Sequence, residues 1–287
     1  MKELAIVSGK GGTGKTTITA SLAVLATNHV VADCDVDAPN LHLLLNPKIE
    51  STEEFANARI ASIDPELCTK CGACISACRF EAISEAMDVN PLKCEGCGVC
   101  ALVCPASAVQ MNDRLSGYVY LSKTSFCPMA HALLMPGESN SGKLVTLVRQ
   151  RARELASEKG KDLVLVDGPP GIACSTIATI TGVAAGLVVA EPTIPAFHDL
   201  ERTLELFNHF GILAMVVINK CDLNSKKTEE IERHCIEHDI KIAGRIPYDL
   251  IMTNASVAGN PVVVHAPKHA LSMALRSIWN NIKSQLA

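Results

Sequence analysis

Gly9-Lys10-Gly11-Gly12-Thr13-Gly14-Lys15-Thr16 constrains the fold more than any other stretch of this chain, because of what flanks it. The short apolar run Leu4-Ala5-Ile6-Val7-Ser8 precedes it, and Ile18, Leu22 and Leu25 follow at helical spacing. Strand, glycine loop and helix is the context that the pattern G-x-x-x-x-G-K-[ST] requires. Glycines let successive backbone N–H groups turn toward phosphate oxygens, and a helix N-terminus adds positive potential. Lys15 is expected at the β and γ phosphates of ATP and the Thr16 hydroxyl on Mg²⁺, with Gly11, Gly12, Thr13, Gly14 and Thr17 completing the cradle. The bland alternative, a glycine turn beside an exposed lysine, does not explain the strand and helix on either side.

Residues 162–167, 186–190, 213–219 and 240–246 read as buried strands, separated by helical patterns at 201–210 and 228–238. Strands alternating with helices predict an α/β fold with a doubly wound parallel sheet. Between residues 60 and 111 the alternation breaks and a repeat appears at an interval of about 26 residues. Cys68, Cys71, Cys74 and Cys78 are echoed by Cys94, Cys97, Cys100 and Cys104. The expected organisation is a discontinuous nucleotide-binding domain, residues 1–59 and 112–287, interrupted by an inserted module at 60–111.

The spacing C-x₂-C-x₂-C-x₃-C, found twice, resembles the way bacterial ferredoxins hold cubane clusters. In that arrangement the fourth cysteine of each run serves the other cluster. The resemblance implies one [4Fe-4S] cluster on Cys68, Cys71, Cys74 and Cys104, and another on Cys94, Cys97, Cys100 and Cys78. Pro105 follows one run as in the pattern, whereas Arg79 follows the other. Structural zinc and disulfides are the rival readings, and three-residue steps around small residues fit zinc ribbons poorly. Residues 1–14 carry no basic stretch followed by a long apolar one, so the expectation is a cytoplasmic chain with reduced thiols, which disfavours disulfides.

Lys10, the extra lysine of the glycine loop, makes the loop similar to the deviant Walker A of the ParA/MinD/nitrogenase-iron-protein ATPases. The resemblance implies that Lys10 contacts nucleotide across a dimer interface, in an ATP-dependent homodimer or a related heterodimer. Val31-Ala32-Asp33-Cys34-Asp35-Val36-Asp37 looks like the family's first switch, which gives Asp35 the role of orienting the attacking water and sensing Mg²⁺. Leu163-Val164-Leu165-Val166-Asp167-Gly168-Pro169-Pro170 looks like its Walker B strand, with Asp167 on a Mg²⁺-bound water. Segments around Asn219 and around Pro247 and Asp249 resemble those that frame adenine, Asn219 being the expected base contact. Cys174, seven residues past Asp167, stands where the nitrogenase iron protein has one ligand of a subunit-bridging cluster. The other ligand has no counterpart at its spacing, and Cys127 is the nearest substitute. Cys174 as a small packing residue is the competing reading.

A net charge of -4 leaves no electrostatic footprint for nucleic acid, and no apolar run is long enough to span a bilayer. The C-terminal stripe Leu271, Leu275, Ile278, Ile282 and Leu286 is expected to dock on the core. Two functional expectations result. One is an ATPase that couples nucleotide state to electron transfer through two [4Fe-4S] clusters toward a partner protein. The alternative is an ATP-dependent iron–sulfur carrier or scaffold that hands clusters to an acceptor protein.

Overall fold

The computed structural model describes residues 1–138 and 141–286. The chain parts into two compact units: Met1–Thr52 with Val119–Leu133 and Ser141–Ala287, and Glu53–Tyr118 with Leu134–Asn140. The smaller unit is wider than the 60–111 segment that the cysteines mark. Most of the extra length is strand, within the runs Lys48–Ile63 and Val109–Lys123.

In chain order the elements are β1 (Lys2–Ser8), α1 (Lys15–Leu25), β2 (His29–Asp33), α2 (Leu41–Leu45), β3 (Lys48–Ile63), α3 (Ala73–Ala77), α4 (Val99–Leu102) and β4 (Val109–Lys123). There follow β5 (Pro128–Leu134), α5 (Ser141–Glu158), β6 (Leu163–Pro170), α6 (Cys174–Ile180), β7 (Ala185–Ala190), α7 (Ile194–His209) and β8 (Leu213–Asn219). The chain closes with α8 (Ser225–Glu237), β9 (Lys241–Ile246), α9 (Leu250–Val257), α10 (Val262–His265) and α11 (Ala270–Leu286).

In the larger unit, strands run in the order β5-β2-β6-β1-β7-β8-β9, and the pairings along it are parallel. Successive strand residues point to opposite faces. Leu4 and Ile6 of β1 therefore join one core with Ile18 and Leu22 of α1 and Leu271, Leu275, Ile278 and Ile282 of α11. Ala5 and Val7 join another with Ile180, Leu204, Phe207 and Ile231 from α6, α7 and α8. The C-terminal stripe is core, as its spacing implies. Gly186 of β7 is required by this packing, since a Cβ there would lie 2.0 Å from the Phe207 ring. Moving outward from β1, the chain winds to β6, β2 and β5 on one side and to β7, β8 and β9 on the other. The carboxyl end of β1 is thus a topological switch point, where open α/β sheets hold their ligands.

The smaller unit repeats its own conformation. Lys70 and Gly96, Gly72 and Gly98, and Glu81 and Ser107 form three pairs at equivalent places of the two halves, and all six residues have positive φ. Gly72 and Gly98 open the short helices α3 and α4. Gly96 is fixed by contact as well, because a Cβ there would stand 2.2 Å from the Arg59 carbonyl oxygen. Ala61, Cys74, Ile83, Cys100 and Val109 form the small core. No helix among the described residues is long and apolar enough to cross a membrane.

Candidate functional site

Gly14, at φ 88, ends the loop after β1 and starts α1, so the loop's amides gather at the helix N-terminus. Lys15 is nearly buried, its Nζ 3.0 Å from Oδ1 of the fully buried Asp167 on β6. Thr16 donates to the other oxygen of Asp167 at 2.9 Å, and Thr19 donates to Oδ1 at 2.8 Å. A cleft of about 550 Å³, within the usual size of a small-ligand site, lies above them. Gly11, Gly12, Thr13, Gly14, Lys15, Thr16 and Thr17 line it together with Asp35. Leu43 and Leu44 of α2, Ser256 of α9 and Pro170 are among its other walls.

Asp33 is the residue that motif reasoning passed over. It ends β2 directly beside Asp167 in the sheet register and is fully buried. Its carboxylate accepts from the Asp35 amide at 3.1 Å and the Leu41 amide at 3.3 Å. Burial, then the neighbouring Asp167, push the Asp33 carboxyl up to about 8 despite Lys15. Burial also raises Asp35, with Lys15 opposing. The available signal was position: an acid at the carboxyl end of a mostly apolar strand stands at the end of the sheet where the glycine loop lies.

Lys10 is ion-paired to Glu191 of its own chain and lies 3.3 Å from the Thr193 hydroxyl. Lys220 holds the same Glu191 at 3.0 Å and reaches the Gly12 carbonyl at 3.1 Å. Burial works to raise Glu191, but the two ammonium groups hold it below the usual carboxylate range. The adenine-framing expectations meet different geometry. Asn219 is buried and donates to the Thr13 carbonyl at 2.7 Å, so its amide braces the phosphate loop. Asp249 caps α9 through the Ile251 amide at 2.9 Å and faces His269 at 3.6 Å. Asn219, Pro247 and Asp249 are not among the residues lining the cleft. The reason is local: strand-end Asn and Asp satisfy backbone groups of the next turn before they are available to a ligand.

Cys174 is exposed at the start of α6. Cys127 is buried in the core just before β5, and burial raises its thiol to about 11. The register Asp33↔Asp167 and Val31↔Met129 puts Cys127 toward the amino end of the parallel strands, while Cys174 lies past their carboxyl end. Opposite ends of a sheet do not share a cluster, so Cys127 is no partner for Cys174 within the chain. The sequence before α5 offers a helix cap at Asn140 or Ser141, and Asn140 lies outside the described residues.

In the smaller unit the eight cysteines line two separate small cavities. Cys68, Cys71, Cys74 and Cys104 surround one, with Met87 at its wall. Cys78, Cys94, Cys97 and Cys100 surround the other. The halves match atom for atom at their fourth cysteines: the Ala82 amide donates to Cys78 Sγ at 3.4 Å, and the Ala108 amide to Cys104 Sγ at 3.3 Å. Burial raises the Cys74 and Cys100 thiols, whereas backbone amides led by Ala108 lower Cys104. All eight are free thiols.

The sequence pattern of the family described as the CobQ/CobB/MinD/ParA nucleotide binding domain matches residues 4–262. An uncharacterized protein of Methanocaldococcus jannaschii is 34% identical over 284 residues, covering 98% of this chain and 96% of that protein. The cell division ATPase MinD of Pyrococcus furiosus superposes with a TM-score of 0.61 at 19% identity, over 100% of this chain and 99% of its own. The septum site-determining protein MinD of Pyrococcus horikoshii, solved with Mg-ADP, gives 0.61 at 17% identity, over 100% and 97%. At these identities the two solved structures are similar in fold.

Proposed function

The chain belongs to the CobQ/CobB/MinD/ParA nucleotide-binding family, and from that premise we propose that it is a Mg-ATPase whose nucleotide state is coupled to electron transfer through two [4Fe-4S] clusters. The observation that carries the second half is the partition of eight thiols into two sets of four, each around its own cavity. In a cubane every iron takes its own thiolate, so the ligands stand around a space instead of converging on one ion. The donor set fits: soft thiolates, small neighbours, and backbone amides on Cys78 and Cys104 that stabilise sulfur charge. Bound there, the clusters would supply one-electron chemistry.

At the other site, Lys15 and the loop amides take the β and γ phosphates. Thr16 supplies its hydroxyl to Mg²⁺, and Asp167 accepts from a water of that ion. Asp35 lines the cleft and orients the attacking water. Lys10, released from Glu191, reaches the nucleotide of a second copy or a related chain in an ATP-dependent dimer. Leu43 and Leu44 face the cleft and lead within a few residues into β3, which runs on into the cysteine unit. That continuity supports a mechanical route from γ-phosphate to clusters. The two halves of the unit differ on their surface: Leu92, Val99, Leu102 and Val103 are exposed where the first half has Glu66, Ala73, Ser76 and Ala77. The difference supports a redox partner that docks beside Cys97. Pro247 and Asp249 border the nucleotide only if the turn before α9 moves, and Cys174 stays a lone thiol outside the scheme.

Anaerobic reconstitution is expected to load about eight irons and eight sulfides per chain, as two cubanes require. Cluster potentials and the rate of reduction of an artificial acceptor are then expected to differ between ATP, ADP and nucleotide-free protein, a difference lost in Lys15→Ala. Iron that stays near zero, or potentials and rates identical in all three states, would overturn the reading.

A further inference from the structure

Three side chains of α1 hold the carboxylate of Asp167, and a bound nucleotide makes different demands on each. Lys15 Nζ and Thr19 Oγ1 share Oδ1, at 3.0 and 2.8 Å, and Thr16 Oγ1 donates to Oδ2 at 2.9 Å. Thr19 follows Lys15 by four residues, so one face of the helix presents both to the same oxygen. Asp167 and Thr19 are both fully buried. A buried carboxylate oxygen left without a donor is costly.

The other duties of the three donors separate them. An ammonium drawn to the β and γ phosphates turns its protons away from Oδ1. A threonine hydroxyl can give a lone pair to Mg²⁺ and still donate its proton, so Thr16 keeps Oδ2. Thr19 is not among the residues lining the cleft, so a nucleotide has no direct hold on it. Its hydroxyl has one proton and two acceptors in reach, Oδ1 at 2.8 Å and the Lys15 carbonyl oxygen at 3.0 Å. The carboxylate oxygen is the nearer, and hydrogen bonds to ionised acceptors are the stronger. Once Lys15 has moved, Thr19 is the side-chain donor that remains on Oδ1 among the described residues.

We propose that Thr19 is a positioning residue for Mg²⁺, fixing the rotation of the Asp167 carboxylate in the state in which Lys15 has gone to the phosphates. Thr19 itself touches neither the ion nor the nucleotide. It acts through Asp167, as the hydrogen-bond partners behind a metal's immediate surroundings do. The inference rests on the Mg-ATPase half of the reading above and needs neither cluster. The competing role is local: a threonine inside a helix often bonds the carbonyl four residues back, which here is that of Lys15. That role would leave the Mg²⁺ requirement untouched.

The test is the Mg²⁺ dependence of nucleotide binding by the full chain, read by calorimetry with a nonhydrolysable ATP analogue. Thr19→Val keeps the shape of the side chain and loses the hydroxyl, whereas Thr19→Ser keeps the hydroxyl. The parent is expected to bind the analogue more tightly with Mg²⁺ than in EDTA. Thr19→Val should need about 10- to 100-fold more Mg²⁺ to reach that gain, the range typical of partners behind a metal site. Its affinity in EDTA should stay that of the parent, and Thr19→Ser should restore the parental Mg²⁺ requirement. Thr19→Ala is expected to match Thr19→Val, which keeps the test open if the valine variant does not fold. With a Mg²⁺ response in the parent, three results would overturn the proposal and leave the ATPase reading standing. They are a parental Mg²⁺ requirement in the variants without the hydroxyl, an equal loss in Mg²⁺ and in EDTA, and a serine variant that fails as valine does. A parent without any Mg²⁺ response would overturn both.

Discussion

Replacing Asp33 by asparagine should flatten the dependence of stability on pH. An aspartate in an unfolded chain titrates near 3.8, whereas burial and Asp167 hold Asp33 at about 8. Between those values the folded chain keeps a proton that the unfolded chain has lost, so stability falls as pH rises and levels off above about 8. One proton corresponds to about 1.4 kcal/mol per pH unit. With the roll-off near the folded value, the parent should lose about 2 kcal/mol between about pH 6 and pH 8. The Asp33→Asn side chain has nothing to titrate there. Its single carbonyl oxygen serves one of the two amides that Asp33 now accepts, from Asp35 and Leu41, so the variant should start about 1 kcal/mol lower. The profiles should therefore cross near about pH 7, leaving the variant about 1 kcal/mol the more stable at about pH 8. Trp279, the chain's one tryptophan, is 6% exposed on α11 and reports unfolding of the larger unit. Urea titrations read by its fluorescence, without nucleotide or Mg²⁺, make the measurement. Parallel profiles for parent and variant across that range would show that Asp33 is ionised in the folded state and would refute the reasoning.

The crossed cysteine sets make a separable expectation: Cys104→Ser should perturb the electron paramagnetic resonance signal of the cluster held with Cys68, and Cys78→Ser that of the cluster held with Cys94. The assignment fails if each variant disturbs the cluster of its own run. Gly186→Ala should cost about 1–3 kcal/mol by urea unfolding, because its methyl group meets the Phe207 ring at 2.0 Å. Gly11→Ala, with open space at that position, should stay within about 0.5 kcal/mol of the parent.

The larger unit was legible because its signals are local. A glycine loop between an apolar strand and an amphipathic helix specifies both its conformation and its place in a sheet, and the later strands announce themselves as buried runs ending in Asp, Ala or Asn. β3 and β4 carry no such signal. Their residues alternate irregularly, with Glu53, Glu54, Asn57 and Arg59 in β3, and their pairing depends on partners distant in sequence. Asp33 was missed for a related reason. The pattern Asp-x-Asp-x-Asp offers three acids, and only the register of β2 against β6 shows which one stands next to Asp167.

The cysteine unit reverses that balance between local and distant signals. The longer gap marks the fourth cysteine of each run, and the resemblance to bacterial ferredoxins implies that Cys78 belongs with Cys94, but spacing alone gives no physical reason for the crossing. The division comes from folding the two halves against each other, with both fourth thiols held by equivalent amides, those of Ala82 and Ala108. The duplicated backbone is preserved even where residue type resists it. Lys70 adopts the left-handed conformation that Gly96 takes in the other half, and Glu81 and Ser107 adopt it together. A non-glycine residue at such a φ costs energy, so it persists where the surrounding structure requires it. At Lys70 and Gly96 what is required is the loop between the first and second cysteines of each run, which sets where Cys71 and Cys97 stand, and at Glu81 and Ser107 it is the turn just past the fourth. Constraint by cysteine position accounts for the repeat better than packing alone, because the small core of Ala61, Ile83 and Val109 with Cys74 and Cys100 is too slight to impose strained turns twice.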